Sequence, residues 1–366
     1  MNRRSPASAL ATIVFAASVT LASCSTSTPG STSSLGTPAA GRQTPLPSSA
    51  CRLPVSVYLG NQYQVGFVDF PGGTLKVDSD AIVYAGQGGG TQTLKQPVLK
   101  GGASAAYDAA AGRWLPTLPA LVSVDGSRYA YTGPNNDQIH LVDVSTGADR
   151  VLLSGGQRLV SAMSLQPEGL LVREAGFPGD VGHLVVIDPA TAVSRPLAAG
   201  YIGWHFAANG AVFGTDNNPD DPSPLFHFDE PGGVSPDRAW RLPISGGHPT
   251  LWLYRPGRLV EVAGLDNAGR LIVVVVGMDR TEVWALTGPA NGSLIYQGPG
   301  HQGTDPLGLN AFEVGIGIAD THGFWLGTET GVARYSDGTG FQLVYSGQAP
   351  VTGAGPSAWG PAGSCR

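Results

Sequence analysis

Residues Val122 to Leu153 read VSVDGSRYAYTGPNNDQIHLVDVSTGADRVLL. A short apolar run meets the Asp125-Gly126 turn, then come the Tyr129/Tyr131 alternation, an Ile139, Leu141, Val142 run closing on Asp143, the Thr146-Gly147 turn, and Val151 to Leu153. Short alternating runs punctuated by Gly, Asp and Asn predict four strands joined by turns. The architecture is well signalled here, and the identity of a ligand is not.

The same outline recurs. Glycine turns lie at Pro71-Gly72-Gly73, Asp125-Gly126, Glu168-Gly169, Asn209-Gly210, Ala268-Gly269 and His322-Gly323, with successive glycines 53, 43, 41, 59 and 54 residues apart. Each sits between two apolar runs, as Ala162 to Leu165 and Leu170 to Val172 show. A second marker keeps register with the first: Asp143, Asp188, Asp229 and Asp337 fall 17, 19, 19 and 14 residues after their glycines. The fifth unit has Thr287-Gly288 at 18, and the first has Tyr107-Asp108 delayed to 35 by an insertion. Asp suits a strand end because its carboxylate accepts a backbone N–H in the turn.

A four-stranded unit of this size cannot cover both of its faces alone, so the units must stack. The expected fold is all-β, a six-bladed β-propeller of four-stranded antiparallel blades. The alternative is seven blades, the seventh assembled from Arg52 to Gly60 with Ala349 to Trp359. The segments VSVDGSRYAY and IHLVDVSTG resemble the TolB-type and WD-repeat-like propellers of bacterial exported proteins, and IADTHGFWLGTETGVARYSDG is similar to the propeller repeats of two-component sensor ectodomains. The resemblance spans Gly66 to Gly347. Its motifs are structural and imply no single activity; the fifth unit lacks the turn Asp, and no Trp-Asp dipeptide ends a blade.

Composition agrees with this reading. The chain holds 53 Gly and 29 Pro with 13% charged residues, a balance that favours many turns over helices. With Arg3 and Arg4 set aside, 19 basic side chains face 27 acidic ones, a net of -8. No nucleic-acid partner is expected, since such a partner wants a basic face.

At the start of the chain, Arg3 and Arg4 precede an apolar segment from Ala9 to Ala22, ending in Leu21-Ala22-Ser23-Cys24. These are the parts of a secretory signal. The ending resembles the bacterial lipoprotein lipobox, which implies cleavage after residue 23, lipid on Cys24, and an extracytoplasmic chain anchored to the cell membrane. The alternative is an ordinary signal peptide with a chance cysteine. Residues 24–50 are rich in Ser, Thr and Pro with one charge, too polar to build a core, and read as a disordered tether. The β-propeller domain is expected over 51–366, as a monomer.

If Cys24 carries lipid, Cys51 and Cys365 remain, one at each end of the folded part. In an exported protein a pair so placed reads as a disulfide joining the ends; the alternative is two unpaired thiols.

In a propeller blade, the first-to-second and third-to-fourth strand loops share one face, and the other loops share the opposite face. The long segments Ser79 to Ala105, Arg173 to Gly182, Thr215 to Pro224, Ser245 to Arg258 and Pro299 to Glu313 are all placed on the second face by the repeat. A scaffold elaborated on one face binds through it. There, SGGHPTLWLYRPG offers His248, Trp252, Tyr254 and Arg255, and PGHQGTDPLGLNAF offers His301 and Asp305. Aromatic rings beside Arg and His suit a protein or carbohydrate ligand; the alternative is that Trp252 packs the loop onto the rim.

The run TDNNPDDPSP places Asp216, Asn218 and Asp220 at the alternating spacing that Ca²⁺ favours, without the Gly and final Glu of an EF-hand loop. An ordinary Asp- and Pro-rich turn is the competing account, and no other cofactor is expected. Nucleophile, metalloprotease, Walker and C-x-x-C motifs are absent, and the GQGGG of residues 86–90 lacks dinucleotide spacing.

Two functions of different class follow: a membrane-tethered binding or scaffold module, or a propeller hydrolase or lyase using His248, His301, Asp216 or Asp305 near the axis. Convergence of those His and Asp side chains in one pocket favours the enzyme. A broad apolar or aromatic surface favours binding.

Overall fold

The computed structural model describes residues 50–58, 63–79, 81, 104–175, 182–199, 203–220, 235–309, 315–347 and 359–366, all within the unit Thr44–Arg366. The signal segment, Cys24, the tether up to residue 49, residues 86–90, Asp229 and, within the long segments, residues 80, 82–103, 176–181, 221–224 and 310–313 lie outside the described residues.

The described chain is all-β. The first sheet contains β1 (Cys51–Tyr58), β2 (Tyr63–Phe70) and β3 (Thr74–Val77), followed by a hairpin of β4 (Ala106–Asp108) and β5 (Arg113–Leu115). A three-stranded sheet of β6 (Arg128–Thr132), β7 (Gln138–Asp143) and β8 (Asp149–Ser154) gains an inner edge through the bridge between Val122 and Tyr129. Four complete sheets follow. They are β9 (Leu159–Gln166) to β12 (Ser194–Ala199) through β10 (Gly169–Ala175) and β11 (His183–Ile187), and β13 (Gly203–Ala208) to β16 (Thr250–Tyr254) through β14 (Ala211–Asp216) and β15 (Arg238–Pro243). Next come β17 (Leu259–Leu265) to β20 (Asn291–Pro299) through β18 (Leu271–Val276) and β19 (Arg280–Gly288), and β21 (Ile318–Asp320) to β24 (Gly340–Ser346) through β22 (Gly323–Thr328) and β23 (Gly331–Ser336). Finally β25 (Gly360–Pro361) returns to the first sheet and pairs antiparallel with β1, Val55 opposite Pro361 and Ser56 opposite Gly360. No described helix is long and apolar enough to cross a membrane.

The repeating glycines have a backbone cause. Gly73, Gly126, Gly169, Gly210, Gly269 and Gly323 all hold φ between 62° and 143°, where a side chain is strained. At Asn209-Gly210, φ values of 50° and 68° make the two-residue turn whose twist matches the flanking strands. The turn aspartates work through hydrogen bonds. Asp143 Oδ1 accepts the Ser145 hydroxyl and the N–H groups of Ser145 and Thr146, which hold its carboxyl down at about 2. Asp188 accepts from Ala190 and Thr191 N–H in the same way, whereas Asp337 takes Arg270 and the Tyr335 hydroxyl instead.

Each sheet buries its apolar face against the next in chain order. Phe67 of the first sheet meets Tyr107 and Trp114 of the β4–β5 hairpin, with ring centroids 5.0 and 5.4 Å apart. Leu115 then joins Tyr129 and Val142. Ile139 and Leu141 join Leu170 and Val172, and Leu171 and Val186 join Val212 and Leu242. Phe213 and Leu253 join Val273 and Val275, while Ile272 and Val274 join Phe324 and Leu326. The series closes on itself, because Trp325 and Val332 of the last full sheet pack with Leu53, Val55 and Val68 of the first. Four-stranded antiparallel sheets packed in a closed cycle are consistent with a β-propeller. The disulfide Cys51–Cys365 sits at the closing point, with Cα atoms 5.6 Å apart and 314 residues between them in sequence.

Three expectations are corrected. The Pro71-Gly72-Gly73 turn joins β2 to β3, the two strands farthest from β25, because both ends of the chain supply the inner strands of that sheet. The residues around Asp108 form a separate hairpin rather than a delayed turn of the first unit. In the fourth unit the third strand is Arg238–Pro243, not a run ending at Asp229, so Thr250–Tyr254 is its fourth strand and not part of a connector. The insertion between β14 and β15 shifted the frame there, and the true third-to-fourth turn carries Gly246 and Gly247 in place of Asp. His248 therefore lies on the opposite face from the long segments. Of the segments named for a seventh blade, residues 349–358 lie outside the described residues, and β1 pairs with Gly360–Pro361 in the same sheet as β2 and β3.

Candidate functional site

Where the inner strands converge they enclose a cavity of about 660 Å³. Its wall is shared by β4, the 118–124 segment, β9, β13, β17, the 315–319 segment and the 360–366 segment. Small residues dominate it because inner strands approach one another closely. At Gly264 an added Cβ would stand 2.9 Å from the Phe324 ring, and the Gly317 N–H donates to the Ala263 carbonyl at 2.6 Å across neighbouring sheets. Ser164, fully buried on β9, has its hydroxyl 3.4 Å from the carbonyls of both Ala120 and Ala207, bridging the inner segments on either side of it.

The cavity reaches the side of the short turns. Gln166, Ala208 and Leu265, the last residues of β9, β13 and β17, line it together with Val124 and Gly126. Three apolar side chains stay open to solvent in its wall: Leu118 at 48%, Val124 at 88% and Ile316 at 39% exposure. Met163, Val122, Phe206 and Ile318 extend the same apolar surface.

The polar groups in this wall are few and mostly engaged. Asp108 accepts from the N–H groups of Ala110 and Ala111 at 2.9 and 3.3 Å, and Arg366 Nη1 donates to the Ala109 carbonyl at 2.7 Å. Gln166 Nε2 donates to the Ser164 hydroxyl at 2.7 Å. His205 Nε2 lies 2.8 Å from the hydroxyl of Thr215, a residue buried on β14 away from the lining. The His205 side chain is open to the cavity water yet ringed by protein. That desolvation, aided by the charge of Arg173, lowers its pKa and keeps the ring neutral at pH 7. Among the described lining residues His205 is the only histidine, and it has no carboxylate partner. The arrangement offers apolar contact and a few hydrogen bonds rather than an acid and base pair.

The residues expected from sequence to bind a ligand do not line this cavity. Trp252, on the outermost strand β16, packs edge-on against Phe213 at 5.8 Å, with Arg241 5.9 Å over its ring. Tyr254 accepts from Asn218 Nδ2 at 3.0 Å, and Arg255 lies 4.9 Å over Trp284. Asp305 is buried and accepts from the Tyr296 hydroxyl and from Leu307 and Leu309 N–H. Burial, then that carboxylate, pushes the Tyr296 hydroxyl up. The His301 N–H donates to the Gly277 carbonyl at 2.9 Å, and His248 is exposed on the β15–β16 turn.

The run considered for Ca²⁺ is also engaged. Both oxygens of Asp216 are taken by Arg238 at 2.8 Å, with Trp240 Nε1 donating at 2.6 Å, and Asn218 Oδ1 accepts the Asp220 N–H at 3.2 Å. A guanidinium occupies the carboxylate that a cation would need first. What the sequence did not single out was the set of residues that line the axis. Its trace was the small residues at the ends of first strands, such as Ala207-Ala208, Ala105-Ala106 and Gly315 with Gly317.

Asp305→Ala removes the acceptor of one hydroxyl and two buried N–H groups. It is expected to cost about 3 kcal/mol of stability, read by urea unfolding. A change below about 0.5 kcal/mol would contradict the structural role given to this carboxylate.

No family model matches the sequence, and no curated protein matches it. Solved structures with a partial likeness include a prolyl endopeptidase at 11% identity and TM-score 0.44, covering 80% of this chain and 49% of that one. Virginiamycin B lyase from Staphylococcus aureus matches at 13% identity and TM-score 0.41, over 79% of this chain and 83% of that one. TolB from Acinetobacter baumannii matches at 13% identity and TM-score 0.33, over 66% and 65%. The chain spans about half the length of the prolyl endopeptidase. Likenesses at this level assign no activity.

Proposed function

We propose that this chain is an extracytoplasmic, lipid-anchored β-propeller that binds a small, mainly apolar ligand in its axial cavity. The ring is read as seven positions, six full blades and the β4–β5 hairpin as a reduced seventh, since seven inner segments share the cavity wall. The observation that carries the binding role is the wall itself. A volume of about 660 Å³ lies within the range of ligand pockets, and Leu118, Val124 and Ile316 leave apolar surface exposed in one place. Such surface costs solubility unless something covers it. His205, Gln166 and Ser104 supply the hydrogen bonds that would orient a polar end of the ligand. A protein or carbohydrate ligand on the face of the long segments, engaging His248, Trp252, Tyr254, Arg255, His301 and Asp305, has less support, because the described members of that set are occupied in packing or spread over two faces.

Arginine at Leu118 or Ile316 places a charge in the wall at positions already half open to solvent, so the fold should survive. Binding of the uncharged fluorophore N-phenylnaphthylamine is expected to weaken at least about tenfold in either variant. A control, Val193→Arg, changes an exposed turn residue that is not part of the cavity lining and should leave it unchanged. Equal affinity in all three would remove the binding role. The anchor is tested separately by feeding labelled palmitate to cells: label in the wild-type chain and none in Cys24→Ser is expected, and label in both or neither would contradict a lipid on Cys24.

A further inference from the structure

The disulfide at the ring closure has a third potential ligand beside it. The Sγ atoms of Cys51 and Cys365 and a ring nitrogen of His322 all lie within 4.8 Å of one another. The two cysteines are buried, at 3% and 5% exposure, and come from opposite ends of the folded chain. His322 comes from the turn between β21 and β22 and also lines a surface pocket of about 400 Å³, so the third ligand is reached from solvent.

Beneath the histidine, Asp320 is held in place by three donors: His322 N–H and Trp325 Nε1, both at 2.8 Å, and Cys365 N–H at 2.6 Å. Its Oδ1 stands 3.6 Å from His322 Nδ1, where a small movement makes the carboxylate–imidazole hydrogen bond that orients a metal-binding histidine. Two thiolates and one imidazole, with a fourth position left to water, form a donor set that suits Zn²⁺.

We propose that the reduced chain binds one Zn²⁺ through Cys51, Cys365 and His322, so that the ring is clasped either by a disulfide or by a metal ion. As a disulfide, the sulfurs are too close and carry no thiolate charge, and no metal binds. A dithiol reductant breaks the S–S bond with two electrons and two protons, leaving two thiols and its own cyclic disulfide. Zn²⁺ then displaces both thiol protons as it forms two Zn–S bonds. Tetrahedral zinc with bonds of about 2.3 Å sets its sulfurs roughly 3.7 Å apart, so the broken pair needs to separate by less than about 2 Å. The same three residues then hold β1, the 360–366 segment and the β21–β22 turn together.

The test uses the full chain and Co²⁺ as a spectroscopic stand-in. Reduction with a water-soluble phosphine converts the disulfide and one water to two thiols and the phosphine oxide, leaving no competing thiol. The expected result is one Co²⁺ per reduced chain, with a thiolate-to-cobalt charge-transfer band and tetrahedral d–d bands that Zn²⁺ abolishes. The oxidised chain should show neither. His322→Ala leaves the disulfide able to form, so its oxidised form can be checked for folding first; after reduction its Co²⁺ affinity is expected to be at least about tenfold weaker. Absence of the charge-transfer band in the reduced wild type, equal Co²⁺ affinity in His322→Ala, or a reduced chain that unfolds whether or not metal is added would each overturn the proposal.

Discussion

The structure depends on one pairing made across the whole length of the fold. Gly360 and Pro361 add the inner strand to β1, and around them the Ala362 N–H donates to the Pro54 carbonyl at 2.8 Å and the Arg52 N–H to the Arg366 carbonyl at 2.6 Å. Without that strand the first sheet would present an unpaired inner edge, and Trp325 of the last sheet would lose Trp359 from the cluster in which both are buried. With it, every sheet has a neighbour on both sides. Closing a loop of 314 residues is entropically demanding, and the Cys51–Cys365 disulfide removes most of that cost from folding by confining the unfolded chain. In the chain-entropy account this contributes roughly 5 kcal/mol. The close fit is visible at Gly327, where an added Cβ would stand 2.8 Å from the Gly360 Cα.

The same closure makes the cavity. Inner strands that converge on an axis have room only for small side chains where they touch, and small side chains leave space between them. The wall is then apolar by default, since Ala, Gly, Leu and Ile carry no polar groups and the strand backbones are satisfied by their neighbours. Several of the polar side chains in the wall are held by near neighbours, Asp108 by its own turn, Gln166 by Ser164 and His205 by Thr215. Outward in three of the sheets the pattern changes: indole and phenol groups anchor to carboxylates, as Trp240 does to Asp216, Trp284 to Glu282 and Tyr131 to Asp149. Those acids are spent on fixing large aromatic side chains, which is why an acidic or aromatic cluster in this sequence points to packing before chemistry.

The repeat was legible because its glycines answer a backbone demand that other residues meet poorly: all six sit at positive φ. The turn aspartates were legible where they accept N–H groups, at Asp143 and Asp188, and misleading at Asp229, where an insertion produced the right spacing without the right strand. The first unit was misframed for a different reason. Its inner strand is supplied from more than 300 residues away, a long-range pairing that no local periodicity carries. Trp252 looked like a binding residue because an indole beside Arg in a presumed loop would stand bare in solvent; with Thr250–Tyr254 formed as a strand, its ring has Phe213 to pack on. The cavity was hidden because its signal is an absence of bulk, spread over seven segments distant in sequence.

The most direct measurement of ring closure compares two changes at the same place by thermal unfolding. Cys365→Ser removes the disulfide and keeps the strand, whereas removal of residues 359–366 takes away the strand, the buried Trp359 and Ala362, and the disulfide together. If the inner strand holds the ring, the serine variant unfolds cooperatively at a lowered temperature and the shortened chain loses its cooperative transition. A shortened chain that unfolds as sharply, and at the same temperature, as the serine variant would show that the sheets do not need the strand that joins the two ends.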